Sequence, residues 1–140
     1  MKSSAYVNYE NDTTAVLSFE LVNKGIGPAV LGDVRYLFDG KDFESYSIGD
    51  GVAEKYDSLI IVQGTQNMQI DSSVFQPNEA MNIFTIYLTA KSPKHTGLFN
   101  RIANELSVQF CYCSVYGDCW YRGSHRTPEK REECSGYISY

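Results

Sequence analysis

The first run of alternating residues begins at Thr13. In TTAVLSFELVNK, Val16, Ser18, Glu20 and Val22 face one way and Leu17, Phe19 and Leu21 the other, which is the period of a half-buried strand. After the breaker Gly25-Ile26-Gly27-Pro28, a second run, AVLGDVRYLFD, puts Val30, Gly32, Val34, Tyr36 and Phe38 on one apolar face and closes in an Asp39-Gly40-Lys41 turn. Two such runs with a tight connection are expected to pair as antiparallel neighbours. From Asp42 to Ser58 the alternation lapses and Gly49-Asp50-Gly51 interrupts the stretch, so a long loop is predicted there, with a short helical turn at Val52 to Tyr56.

Strand signals return in SLIIVQ and NMQID. Pro77-Asn78 then turns the chain into MNIFTIYLTAK, where Ile83, Thr85, Tyr87 and Thr89 alternate with Phe84, Ile86 and Leu88; two largely apolar faces predict a central strand. Between Lys94 and Glu105 the period becomes helical, with Leu98, Phe99 and Ile102 on one side and Thr96 placed to cap the N-terminus. LSVQFCYCS restores period two, with Leu106, Val108, Phe110 and Tyr112 sharing a face. About eight strands and one short helix, with no repeat or linker, predict a single all-β domain over residues 1–140: a two-layer antiparallel β-sandwich, immunoglobulin-like or similar.

Composition supports this picture and narrows the partners. A chain of 140 residues hides roughly 70% of its unfolded surface and needs no cofactor to complete a core. Aromatics at 14%, including 11 tyrosines, suit strands. The net charge is −5, and the most basic stretch, Arg122 to Arg131, is interleaved with Glu129 and followed by Glu132 and Glu133, so nucleic acid is not an expected partner. No run of about 18 apolar residues is present, and KSSAYVNYEN after Met1 lacks the apolar region of a signal peptide. The chain then reads either as a complete cytosolic protein or as the soluble part of a longer, anchored one. Asn11-Asp12-Thr13 fits a glycosylation acceptor, which matters only in a eukaryotic secretory pathway.

Few residues carry chemistry. Gly25-Ile26-Gly27-Pro28 lacks the third glycine, the lysine and the following helix of a phosphate-binding loop, and reads as a turn. His95 and His125 lie 30 residues apart in polar stretches, and no serine sits in a nucleophile-elbow context, so both histidines read as solvated. Asp39, Asp42, Glu44, Asp50 and Asp57 do not follow calcium-loop spacing; they read as an acidic rim, although a pair from different strands would serve a carboxylate-dependent hydrolase. Tyr112, Tyr116, Tyr121, Tyr137, Tyr140 and Trp120 read mainly as sandwich filling, with an aromatic platform as the functional alternative.

Four cysteines, Cys111, Cys113, Cys119 and Cys134, allow three disulfide connectivities, and spacing does not decide among them. A hairpin register with Cys113 opposite Cys119 places Tyr112 opposite Trp120 and Phe110 opposite Arg122, with Cys111 on the sulfur face and left for Cys134. This register favours 113 with 119 and 111 with 134. A four-thiolate zinc site is the rival, but C-x-C-x₅-C-x₁₄-C lacks the usual C-x₂₋₄-C knuckles.

Two segments carry a resemblance. FELVNKGIGPAVLGDVRYLFDGK, with its N-x-G-x-G-P-A and D-G-K turns, resembles the opening hairpin of uncharacterised bacterial domains that follow an N-terminal membrane helix, and CYCSVYGDCW is similar to their closing hairpin. The resemblance implies an extracytoplasmic location on a membrane-anchored bacterial protein and no activity to carry over. The expected function is a non-catalytic binding, sensing or interaction module without cofactor or metal. Its partner is an unknown protein or small ligand, and it meets the membrane only through an anchor absent from this chain. Its ligand surface is expected at the Asp42 to Ser58 loop, with Tyr46, and at the hairpin tip, with Tyr116. The competing expectations are a small hydrolase and a cytosolic zinc-binding protein.

Overall fold

The strand predicted from Thr13 forms as β2 (Thr14–Val22) and lies inside a four-stranded antiparallel sheet. Its order is β1 (Lys2–Tyr9), β2, β7 (Ala80–Ala90), β5 (Ile60–Asn67). The structure is a computed structural model and describes residues 2–44, 46–67, 74–122 and 129–134. A second antiparallel sheet runs β10 (Glu129–Arg131), β9 (Cys119–Arg122), β8 (Leu106–Ser114), β3 (Ala29–Phe38), β4 (Lys41–Phe43), and the short β6 (Val74–Phe75) joins the beginning of β3.

The apolar faces of the two sheets meet. Leu17, Phe19 and Leu21 of β2 and Phe84, Ile86 and Leu88 of β7 pack in one core with Leu31, Tyr36 and Phe38 of β3 and Val108 and Phe110 of β8. Phe19 and Phe84 stack with ring centroids 5.3 Å apart, and Tyr36 meets Phe84 edge-on at 6.3 Å. The fold is an all-β sandwich, and β7 is central as its two apolar faces predict.

Among the described residues two α-helices, rather than one, link the sheets. α1 (Ile48–Tyr56) carries the chain from β4 to β5 and packs against β5 and β3; α2 (Leu98–Glu105) carries it from β7 to β8 and packs against β1, β2 and β8. Because β5 and β1 are the two edges of the first sheet, the helices flank it on opposite sides. The stretch expected as a loop is therefore largely α1. Its glycines are there for close packing: a side chain at Gly49 would run into Thr65, and one at Gly51 into the ring of Phe43. Thr96 does not cap α2, which begins after Gly97; the Thr96 hydroxyl instead donates to the Pro93 carbonyl of a preceding one-turn 3₁₀ helix, Pro93–His95.

Three further expectations change. β2 and β3 are not paired: the Gly25–Pro28 turn crosses from one sheet to the other, so each strand finds hydrogen-bonding neighbours that are distant in sequence. The face expected along β3 is split by a bulge between Gly32 and Arg35, where β3 advances one residue more than β8. Leu31, Tyr36 and Phe38 consequently face the inter-sheet core, while Val30 and Gly32 lie opposite Cys113 and Cys111 on the outer side. A second shift, between Phe19 and Glu20, leaves Ile83 as the extra residue of β7 and buries it completely. Of the NMQID segment, residues beyond Asn67 lie outside the described part of the chain. The Asp39-Gly40 turn forms as expected, with φ of 52° and 78° at its two central residues, the left-handed pair that a two-residue hairpin between β3 and β4 requires.

Candidate functional site

The β8–β9 hairpin has the register expected from its sequence: Phe110 pairs with Arg122, Cys111 with Tyr121, Tyr112 with Trp120 and Cys113 with Cys119. Alternation along β8 sends Phe110 inward and Cys111 and Cys113 to the outer face of the second sheet. Disulfides join Cys113 to Cys119 and Cys111 to Cys134, with Cα separations of 4.0 and 5.5 Å. The bridges touch, the Cys113 and Cys134 sulfurs being 3.4 Å apart, and all four cysteines are buried. The fold thus gathers the Cys113, Cys119 and Cys134 sulfurs within 4.8 Å of one another despite their scattered spacing. Disulfide sulfurs are not thiolates, so this arrangement and a zinc site exclude each other.

Around the sulfurs the hairpin is held by its aromatic residues. Tyr121 packs on the cluster and donates its hydroxyl to Gln109 Oε1 at 2.8 Å, while the Arg131 guanidinium lies 4.3 Å from its ring centre. Lys130 Nζ sits 5.4 Å from the Trp120 ring centre. Burial is the first cause that raises the Tyr112 hydroxyl above its usual range, opposed by the charge of Arg122. Tyr137, Tyr140 and His125 lie outside the described residues.

The hairpin tip presents Tyr116 almost fully to solvent, with 86% of its surface exposed. Ser114 Oγ accepts from the backbone N–H groups of Tyr116 and Asp118, and Gly117 takes a φ of 90° that closes the turn. Beside it stands the β2–β3 turn: a side chain at Gly27 would begin 4.0 Å from the Tyr116 ring, and the neighbouring Ile26 is fully exposed. Buried Asn23 braces that turn, donating to the Gly27 and Phe75 carbonyls at 3.0 and 3.1 Å and accepting from Gly25 N–H at 2.9 Å. An asparagine before a Gly-rich turn is a sequence signal for such a clamp, and it is one that the alternation pattern hides.

Tyr46 is also exposed, but it lies elsewhere. It follows β4, which pairs with the Tyr36–Phe38 part of β3, whereas Tyr116 sits in the turn that joins β8 to β9.

The acidic residues are dispersed. Asp42 forms a two-point ion pair with Arg35, Nη2 to Oδ2 at 2.5 Å and Nε to Oδ1 at 3.2 Å. Asp39 meets Lys55 Nζ at 3.0 Å, and the same ammonium reaches Glu105, whose other oxygen accepts from the Tyr56 hydroxyl. The hydrogen bonds to Glu105 and then Asp39 hold the Lys55 pKa above its usual value; burial, then the Glu105 hydrogen bond, raises that of Tyr56. A cleft of about 280 Å³ beside this group is lined by Asp39 and Glu54 together with Lys41 and Lys55. Of the five acids in the predicted rim only Asp39 lines it. The Lys55–Tyr56–Glu105 group joins residues 49 and 50 positions apart, and no local pattern announces it. His95 closes the 3₁₀ turn through its backbone N–H, which donates to the Ser92 carbonyl.

No protein-family model matches the chain, and no curated protein or solved structure matches it.

Proposed function

We propose that this chain is a non-catalytic extracytoplasmic interaction module of a membrane-anchored bacterial protein, and that it engages its partner through the loop end carrying Ile26 and Tyr116. The carrying observation is the contrast between exposure and bracing at that end. Two large apolar side chains stand in water, yet the turn beneath one is clamped by Asn23 and the hairpin beneath the other is tied by Cys113–Cys119. Rigidly presented aromatic and aliphatic side chains bind at low entropic cost, whereas mobile ones do not. The two buried disulfides fit an oxidising environment. Two of the five acids that a hydrolase could use are engaged with cations, Asp39 with Lys55 and Asp42 with Arg35, and of the five only Asp39 lines the cleft with Lys55, which supports binding over hydrolysis.

Two measurements test the proposal. Alkylation of the denatured, unreduced protein taken from its native cells should leave all four cysteines unlabelled; four labelled cysteines would place it in a reducing compartment. A photo-crosslinking residue at position 116 should give one discrete adduct in those cells, lost on Ile26→Ser, while the same residue at position 46 should not give it. Identical adducts from both positions, or none from 116, would remove the loop end from consideration.

A further inference from the structure

Past β1 the chain turns back at Asn11, whose side-chain carbonyl accepts from the backbone N–H groups of Thr13 and Thr14, both at 2.9 Å. Glu10 N–H closes the turn on the Thr14 carbonyl at 2.9 Å. Glu10 is thereby held beside the start of β2, at the opposite end of that strand from the Ile26 turn. Alternation sends Ala15 and Leu88 into the core and Thr14, Tyr87 and Thr89 to the outer face of the first sheet. On that face β5 bulges between Val62 and Gly64, and Gly64, which falls opposite Tyr87, has no side chain to cover it. The result is a cleft of about 270 Å³ whose polar wall is made by Glu10, Thr14, Gln63 and Thr89. The lining contains one formal charge, that of Glu10, and no ion pair among the described residues uses it. Acceptors are also left over: Gln63 Nε2 donates to Thr89 Oγ1 at 3.3 Å, which leaves the Gln63 side-chain carbonyl, and the buried Thr14 hydroxyl has no hydrogen-bond partner.

We propose that this cleft binds a small primary ammonium with a short apolar tail, the ammonium against the Glu10 carboxylate and the tail along the Tyr87 ring. An ammonium carries N–H donors and no acceptor, which matches a wall of one carboxylate and spare acceptors; an alcohol brings a single uncharged donor. A hydrogen bond to the Thr14 hydroxyl would supply the partner that the protein itself does not. The cleft is smaller than the ~300–1,000 Å³ of sites for drug-sized molecules, which restricts the tail to a few carbons. This site is separate from the loop end, so the two proposals stand or fall independently.

The test is a titration of the oxidised protein with n-pentylammonium, 1-pentanol and calcium at constant ionic strength, followed in amide NMR spectra. Pentylammonium should give saturable shifts at Thr14, Gly64 and Tyr87, and 1-pentanol should bind at least about tenfold more weakly, the loss expected for a missing charged hydrogen bond. Glu10→Gln should weaken pentylammonium by a similar factor, and Glu10→Asp should recover part of it. Gly64→Leu, which builds a side chain from a position with nothing within 4 Å, should fill the cleft and abolish the shifts at Thr14 and Tyr87. Equal binding of pentylammonium and pentanol, unaltered binding by Glu10→Gln or Gly64→Leu, calcium binding as tight as pentylammonium, or no saturable shift would each overturn the proposal. Should a variant fail to fold, the ligand series on the unaltered protein decides by itself.

Discussion

The space between the sheets and the outer face of the second sheet are both buried, but by different means. Between the sheets a continuous apolar core draws on both sheets and both helices; on the outer face the buried cluster consists of four cysteines with Tyr121 against them. A core of the first kind stabilises in proportion to the apolar area it removes from water. Four sulfurs remove little area, and they act instead by limiting the conformations of the unfolded chain. Bulk hydrophobicity therefore holds the scaffold, and covalent links tie to β8 the β9 arm and the Cys134 segment, which contribute no buried residue to that core.

The comparison is broken most severely from the inside. Phe84→Ala removes a ring that is 1% exposed and contacts both Phe19 and Tyr36, and should cost about 3–5 kcal/mol in denaturant unfolding. A loss below about 1 kcal/mol would mean that the sheets do not depend on this core.

Replacing both members of a disulfide by serine should cost less and should scale with the ring each closes. Removing Cys111–Cys134, which spans 23 residues, should cost about 3 kcal/mol, and removing Cys113–Cys119, which spans 6, about 2 kcal/mol. The check is equilibrium unfolding of the two double variants side by side; the reverse order would show that packing of the sulfurs, rather than the unfolded chain, sets their contribution.

Alkaline pH should sharpen the contrast, because the polar group that ties α1 to the end of α2 loses protons there. Lys55 and Tyr56 both have raised pKa values in the folded chain. The folded chain consequently holds more protons than the unfolded chain above pH ~10, the ordinary range of both groups. Their contribution is fully present below that range and is lost as pH rises through the folded values. Thermal melts from pH 8 upward should fall more steeply for the unaltered protein than for Glu105→Gln, which removes the leading cause at Lys55. Parallel curves would show that the Glu105 interactions contribute nothing to folding.

The smallest effect is expected at the surface. Tyr46→Ala and Tyr116→Ala, 70% and 86% exposed, should each change stability by no more than about 0.5 kcal/mol. A larger loss at Tyr116 would make that ring part of the packed structure and remove it from the proposed contact surface.

What the chain specifies locally is legible in its sequence. The alternations of β2, β7 and β8 mark the residues that face the core, and the β8–β9 hairpin sets its own register within a dozen residues, so the Cys113–Cys119 pairing follows from local geometry. The Asp39-Gly40 turn is likewise local, since the left-handed pair is demanded by the hairpin itself. Other features depend on partners far along the chain. β2 and β3 separate into different sheets because each has a better long-range neighbour, and the bulge in β3 makes sense only against β8. Gly49 and Gly51 look like loop residues until Thr65 and Phe43 are packed against α1. Lys55 meets Glu105, Tyr116 stands beside Gly27, and Arg122 shares a cleft with β1 only after the sheets have closed, because such contacts join positions that no periodicity links. Local backbone preference and side-chain alternation thus determine the strands and their faces, whereas the clefts, the ion pairs and the exposed loop end are set by how those faces come together.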